Sequence, residues 1–372
     1  MGWDGSSATC EPDLDERARA CAAGGAAATV DLPVIDIAPL LQLDSDGGMG
    51  AGGDVPVAVA RVAQQIGDAC RGAGFFYIVG HGVPDALQRD LMAVSRAFFA
   101  WPQARKMALH MSHGGRAWRG YFPVGEELTS GLPDQKEGLY FGSELPDSHP
   151  RVVAGTPLHG RNLFPDALPA LRTTVLSYID ALTALGHRLM AALSLSLGLP
   201  ARYFWDRYTH DPLTLFRIFH YPTSSTPPGE VDSWGVGEHT DYGVLTLLLQ
   251  DDVGGLSVKT GGRYVAAPPI PGSLVCNIGD MLERMTGGLY KSTPHRVRNT
   301  SGRDRLSFPF FFDPGWDSAV QPIDCPATRA VTVVDDSSAR WDGASVHAFA
   351  GTYGDYLQAK VGKVFPALRE RI

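Results

Sequence analysis

Two histidines and an aspartate pose the chemical question in this chain. Glu238-His239-Thr240-Asp241 puts an imidazole and a carboxylate at i and i+2, and His295 follows 295 − 241 = 54 positions after Asp241. On a strand the side-chain period is two, so His239 and Asp241 are expected on one face. With His295 arriving from a different strand, two imidazoles and one carboxylate would cover one face of an octahedral ion. Three positions would stay open, which suits Fe(II) chemistry with O2 and a chelating cosubstrate. A structural metal site would instead close its coordination sphere with protein ligands. Chance is the competing explanation: eleven histidines can yield such a pair as a turn hydrogen bond and a satisfied core histidine.

A second i, i+2 pair weighs against chance. Arg305-Leu306-Ser307 sits in an apolar run that continues Phe308-Pro309-Phe310-Phe311-Phe312. An arginine facing a sheet interior is costly unless it meets an anion. Its planar fork can take a carboxylate through two parallel hydrogen bonds, and a neighbouring hydroxyl adds a third. Pairing with one of the chain's own acids, or an outward-facing pair, would also account for it. A carboxylate clamp ten residues beyond His295 is the more economical reading. Its ligand would be an acid whose other end chelates the metal.

The elements that must position these groups divide the 372 residues into two textures. Residues 1–29 are rich in Ala, Gly and acids without apolar periodicity and are expected to be disordered. Val34–Ile37 suggests a short strand, and Asp44–Gly53 a glycine-rich surface linker. That linker contains Gly48-x-Gly50-x-x-Gly53, which lacks the strand–turn–helix context of a dinucleotide site. Helices are expected over Val55–Arg71 and Pro84–Trp101 around a strand at Phe75–Val79. Residues 112–165 read as a long ordered loop with short strands. Leu168–Leu199 reads as the longest helix, broken at Gly186. From Leu213 short strands recur: Leu213–His220, Val244–Leu249, Leu256–Val258, Ser273–Asn277, His295–Asn299 and Leu306–Phe312. Such spacing indicates a sandwich or barrel. His347–Leu368 returns to helix.

Composition excludes several classes. The net charge is 32 − 40 = −8 with no Lys/Arg cluster, so no nucleic-acid partner is expected. No apolar run reaches the roughly 20 residues of a membrane span. The five cysteines are scattered without CxxC spacing, and no signal-peptide pattern opens the chain, which points to the cytoplasm.

The series HxD, His, RxS resembles the 2-oxoglutarate/Fe(II)-dependent dioxygenases, in the isopenicillin N synthase-like branch. The likeness runs from about Leu32 to Pro314. Gly74-Phe-Phe-Tyr-Ile-Val-Gly-His-Gly-Val-Pro84 is similar to that branch's N-terminal signature. Arg217-Ile-Phe-His-Tyr-Pro222 and Asn277-Ile-Gly-Asp280 resemble segments beside its 2-oxoglutarate and its metal. The resemblance implies iron on His239, Asp241 and His295, and the distal carboxylate of 2-oxoglutarate on Arg305, Ser307 and Tyr221. It implies an α+β fold, a double-stranded β-helix (jelly roll) with a helical N-terminal region. The regions would be 30–150 (N-terminal), 210–315 (core) and 316–372 (C-terminal extension with helix).

The implied cofactors are Fe(II), 2-oxoglutarate as cosubstrate and O2, with a small-molecule substrate hydroxylated or desaturated as 2-oxoglutarate becomes succinate. Three alternatives stay open: an oxidase that does not use 2-oxoglutarate, a non-catalytic carboxylate-binding module, and, on ligand type alone, a zinc hydrolase, for which the sequence positions no general base and which would leave the clamp unexplained. The segments Arg119–Thr129 and Lys136–Phe141 depart from the plant enzymes and resemble a microbial branch. Arg119, Tyr121, Glu137, Tyr140 and Phe311 are candidate pocket residues. His220 should alternate away from Tyr221 and is read as structural.

Overall fold

The computed structural model describes residues 32–44, 54–223, 234–334, 337–340 and 343–365. The expected disordered lead-in and most of the glycine-rich linker lie outside the described residues.

Among the described residues, twelve short strands build two facing sheets: β1 Val34–Asp36, β2 Phe75–Val79, β3 Gly120–Phe122, β4 Glu137–Gly142, β5 Leu213–Tyr221, β6 Val236–His239, β7 Leu245–Gln250, β8 Leu256–Thr260, β9 Arg263–Ala266, β10 Leu274–Ile278, β11 His295–Val297 and β12 Arg305–Asp313. The larger sheet has the order β1-β2-β10-β7-β12-β5-β4-β3 and the smaller β6-β11-β8-β9. From β5 onward the chain alternates between them: β6 small, β7 large, β8 and β9 small, β10 large, β11 small, β12 large. That alternation winds the core into a double-stranded β-helix. Among the described strands only β1 and β2 pair in parallel; most of the other pairs, such as β5 with β12 and β2 with β10, join strands distant in sequence.

Five longer helices accompany the sheets: α1 Val57–Arg71, α2 Asp85–Phe99, α3 Pro169–Ser196, α4 Asp280–Met285 and α5 Tyr353–Val364. The first two pack on α3, which in turn covers the outer face of the large sheet. Strand parity explains how. Phe216 of β5 meets Tyr178 of α3 with ring centroids 5.3 Å apart, and Phe312 of β12 meets His187 at 4.8 Å. Their neighbours in sequence, such as Leu215 and Phe311, face the space between the sheets.

Most expected elements are present to within a few residues. Gly186 does not break the long helix; α3 runs unbroken over 28 residues. The glycine is there for proximity, since a Cβ would come within 2.5 Å of the Phe312 ring. The strand expectation at the HxD motif also needs correction. His239 ends β6 and Asp241 lies just beyond it, so the pair does not share a strand face. No described helix is long and apolar enough to cross a membrane.

Gly186→Ala should lower stability by about 1–3 kcal/mol through overpacking against Phe312, outweighing alanine's better helix propensity of about 1 kcal/mol. Thermal denaturation of the two proteins checks this; an unchanged or higher melting temperature contradicts the packing role.

Candidate active site

His239 and His295 are brought together by sheet register: they are direct cross-strand partners of β6 and β11. Their ring centroids lie 4.2 Å apart. Asp241 reaches the same point from the turn after β6. Its Oδ1 is 3.8 Å from Nε2 of each histidine. One ligand atom from each residue falls within 4.8 Å of the other two, a spacing suited to a shared cation.

Every other polar atom of the three is committed elsewhere. His239 Nδ1 donates to the Gly237 carbonyl at 2.8 Å and His295 Nδ1 to the Thr293 carbonyl at 3.1 Å. A carbonyl can only accept, so the proton sits on Nδ1 and the Nε2 lone pair is left for a metal. Asp241 Oδ2 accepts from Thr246 Oγ1 and from Asn277 Nδ2, each at 2.6 Å. Oδ1 therefore faces the imidazoles. Burial lowers both histidines, His295 to about 4, aided by His239. Burial alone would raise Asp241; positive charge on either imidazole and the Asn277 and Thr246 hydrogen bonds hold it below its ordinary value.

Gly279, in the Asn277–Asp280 turn, permits this closeness. A Cβ there would meet the Gly243 carbonyl at 2.5 Å and that of Asp241 at 2.9 Å. Asp280 N donates to the same Asp241 carbonyl.

The residues expected to clamp a carboxylate lie at the start of β12 and the end of β5. Arg305 pairs in register with Tyr221, and Ser307 with Phe219. Arg305 is fully buried, yet among the described residues no carboxylate lies within ion-pair distance of it. Its Nε donates to the Gly254 carbonyl and one terminal nitrogen to Gln250 Oε1 at 3.1 Å. The other, Nη1, is buried without an acceptor. The guanidinium carbon stands 4.7 Å from the Tyr221 ring centre, and Ser307 Oγ is 3.4 Å from the Tyr221 hydroxyl. A buried cation with an orphaned donor, flanked by two hydroxyls, fits the distal carboxylate of a diacid.

Both sets open on one cavity of about 1000 Å³, its mouth included. Of the five candidate pocket residues only Phe311 lines it. Arg119 is buried away from it, bound to Asn162 Oδ1 and the Leu158 carbonyl. Tyr121, Glu137 and His220 form a separate network with Lys106, which makes His220 structural as expected. Tyr140 donates to Glu127.

Residues that motif reading passed over do reach the cavity: Glu127, Lys136, Arg217, Asp313 and Tyr353. Period-two spacing from Tyr221 through Phe219 would have found Arg217, and spacing from Arg305 would have found Asp313. The C-terminal helix also contributes a wall, through Leu357, Val361 and Val364.

Residues 32–167 match the model of the N-terminal region of a non-haem dioxygenase in morphine synthesis, and residues 212–314 match the 2OG-Fe(II) oxygenase superfamily. A probable iron/ascorbate oxidoreductase of Dictyostelium discoideum is 52% identical over 84% of this chain and 91% of its own. A 1-aminocyclopropane-1-carboxylate oxidase of Dictyostelium mucoroides is 40% identical over 90% of this chain and 95% of its own. A full-length Neurospora crassa protein, crystallised in complex with alpha-KG and thymine, superposes with a TM-score of 0.70 at 27% identity, over 90% of this chain and 97% of that one.

The chain belongs to the 2OG-Fe(II) oxygenase superfamily. It is a 2-oxoglutarate-dependent dioxygenase that uses Fe(II) and O2 to hydroxylate or desaturate a small organic molecule, with decarboxylation of 2-oxoglutarate to succinate.

Two outcomes test the surroundings of the site. Asn277→Ala frees Asp241 to rotate and should weaken metal binding by about 10- to 100-fold, read by metal titration; undiminished affinity contradicts the orienting role. Burial, opposed by a hydrogen bond from the Tyr353 hydroxyl and reinforced by Asp241, pushes Asp313 up to about 7. The native state thus holds this proton more tightly than the unfolded chain. Its stabilising contribution is present at acid pH and is lost as pH rises through about 7. Asp313→Asn should flatten the fall in melting temperature between about pH 4 and 7; parallel wild-type and variant profiles would refute that account.

Proposed function

We propose that His239, Asp241 and His295 hold the Fe(II), and that Arg305, Ser307 and Tyr221 hold the distal carboxylate of 2-oxoglutarate. The observation that carries this reading is the buried guanidinium of Arg305. Its Nη1 lacks an acceptor while it lines the same cavity as three convergent metal-ligand atoms. A single diacid satisfies both ends.

Bound iron supplies the redox chemistry that couples O2 to the oxidation of 2-oxoglutarate and substrate. The chain's own part is positioning. The Nδ1 bonds to Gly237 and Thr293 lock each imidazole in the tautomer that presents Nε2. Asn277 and Thr246 keep one carboxylate oxygen of Asp241 turned inward. Arg305 donates in-plane hydrogen bonds to the cosubstrate, with Ser307 beside it. The cosubstrate is thereby oriented along the cavity, between the clamp row and the row formed by Asn277, Thr246 and Phe311. Phe75, Leu215, Leu248, Val297 and Leu357 give apolar walls, which exclude water from the reacting centre. The reading extends to a cytoplasmic location, supported by three buried free thiols at Cys70, Cys276 and Cys325.

His295→Ala should abolish iron binding. Arg305→Ala should retain iron but raise the 2-oxoglutarate requirement roughly 100-fold or more, since removing one partner of a buried ionic pair costs about 3–5 kcal/mol. Succinate release against 2-oxoglutarate concentration, with anaerobic iron titration alongside, measures both. An Arg305→Ala enzyme with unaltered 2-oxoglutarate dependence would overturn the clamp.

A further inference from the structure

The cavity contains a second guanidinium that neither the metal set nor the clamp uses. Arg217 projects from β5 on the same face as Leu215 and Tyr221 and lines the cavity. Two aromatic rings lie close to its guanidinium. The guanidinium carbon lies 4.0 Å from the Tyr140 ring centre and 4.9 Å from that of Phe311. Only its N–H edge remains for polar contact.

That edge is poorly served. Glu127 Oε1 stands 3.6 Å from Arg217 Nη1, beyond hydrogen-bond range. The Glu127 carboxylate is already engaged by Lys136 Nζ at 2.7 Å and by the Tyr140 hydroxyl. Lys136 has Asp134 as a further counter-charge; Arg217 shares Glu127 and has no other carboxylate within ion-pair distance among the described residues. Its Nε is buried without an acceptor. A cation that shares its one carboxylate within ion-pair distance and has an orphaned buried donor keeps hydrogen-bonding capacity for a ligand.

Its level in the barrel says which ligand takes up that capacity. Phe311, which stacks on Arg217, pairs in register with Thr246, and Thr246 pairs with Asn277. Those two residues hold Asp241. Arg217 thus lies toward the metal end of the cavity, while Arg305 occupies the other end with Tyr221. Given the assignment of Arg305 to 2-oxoglutarate, on which this inference rests, Arg217 is left for the molecule to be oxidised.

We propose that Arg217 is the substrate anchor, and that it selects small carboxylic acids by pairing its N–H edge with the substrate carboxylate. Two in-plane oxygens match two adjacent N–H groups, whereas a neutral carbonyl or amide oxygen satisfies only one and supplies no charge. The apolar walls beyond the edge then receive the rest of the substrate and bring its C–H bonds toward the metal.

The test uses the full-length enzyme loaded anaerobically with Fe(II) and 2-oxoglutarate. Short aliphatic acids, arylacetic acids and α-amino acids are each compared with their primary amides. Binding is read by calorimetry and by the perturbation it causes in the visible absorbance of the iron chelate. At least one acid should bind, with its amide about 100-fold weaker, the scale of lost charge-assisted hydrogen bonds. Arg217→Gln should erase that preference and Arg217→Lys should keep part of it, while 2-oxoglutarate still forms its chelate in both variants. The chelate also reports that the variants are folded.

Equal binding of acids and amides, no binding by any acid, or a preference that survives Arg217→Gln would each overturn the proposal. If the wild-type chelate never forms, the iron and 2-oxoglutarate assignment has failed instead. Calorimetry of the same acids and amides on the metal-free protein then decides Arg217 separately by the same criteria.

Discussion

The Asp241 carboxylate is the constraint on which the site depends. An ionised carboxylate in the interior costs several kcal/mol unless it is paired and hydrogen-bonded. Here Thr246 and Asn277 take one oxygen, and the other faces two imidazole nitrogens. Those nitrogens carry lone pairs, because the ring protons are spent on the Gly237 and Thr293 carbonyls. Three acceptors converging on one point repel one another; a divalent cation among them turns repulsion into coordination. Much of the neighbouring structure can be understood as holding that arrangement rigid. The β6–β11 register aligns the histidines, and the tight approach at Gly279 fixes the turn carrying the aspartate.

Strand alternation distributes the remaining chemistry. On β12, Arg305, Ser307, Phe311 and Asp313 face the cavity, while Phe312 packs on α3. On β5, Arg217 and Tyr221 face in and Phe216 faces the helix. A one-residue slip between these strands would exchange the charged set for the phenylalanines. The aromatic wall on the helical side therefore does more than fill space. Phe312 seated over Gly186 pins the register that keeps two guanidinium groups inside the barrel.

This division also explains how much of the fold and the site is legible in the sequence. The convergence of His239, Asp241 and His295 and the inward pair Arg305 and Ser307 are suggested by short-range spacing, Tyr221 only by family resemblance, and β5, β10 and β12 carry dense runs of β-branched and aromatic residues. Strands β6 and β9 are only four residues long and fairly polar, and they leave little trace. Gly186 has the signature of a helix breaker because glycine's propensity is local, whereas its cause, a phenylalanine ring from β12, is 126 positions away (312 − 186). Arg119 and Glu137 belong to segments whose loop-like texture suggests a pocket role, but burial reverses the inference. Their charges are satisfied internally by Asn162 and Lys106. Loop location alone cannot distinguish a pocket charge from a structural one.

The C-terminal helix follows from neither motif nor strand alternation, yet it closes the cavity. Its leading tyrosines tie it down: Tyr353 donates to Asp313 on β12, and Tyr356 donates to Asp280 at 2.7 Å, at the start of α4. Asp280 also pairs with Arg340 at 2.6 Å and accepts from Ser292. Thus the acid that follows the metal-side Asn277-Ile-Gly279 turn also receives the segment that walls the cavity. Burying Leu357, Val361 and Val364 against the barrel favours that wall by roughly 1.5–3 kcal/mol per fully buried side chain, but apolar burial has no direction. Direction comes from the two phenolic hydrogen bonds, which set the helix against the metal end of the barrel. The same turn therefore orients a metal-ligand carboxylate on one side and, through its aspartate, the cavity wall on the other, linking the shape of the substrate space to the geometry of the metal site.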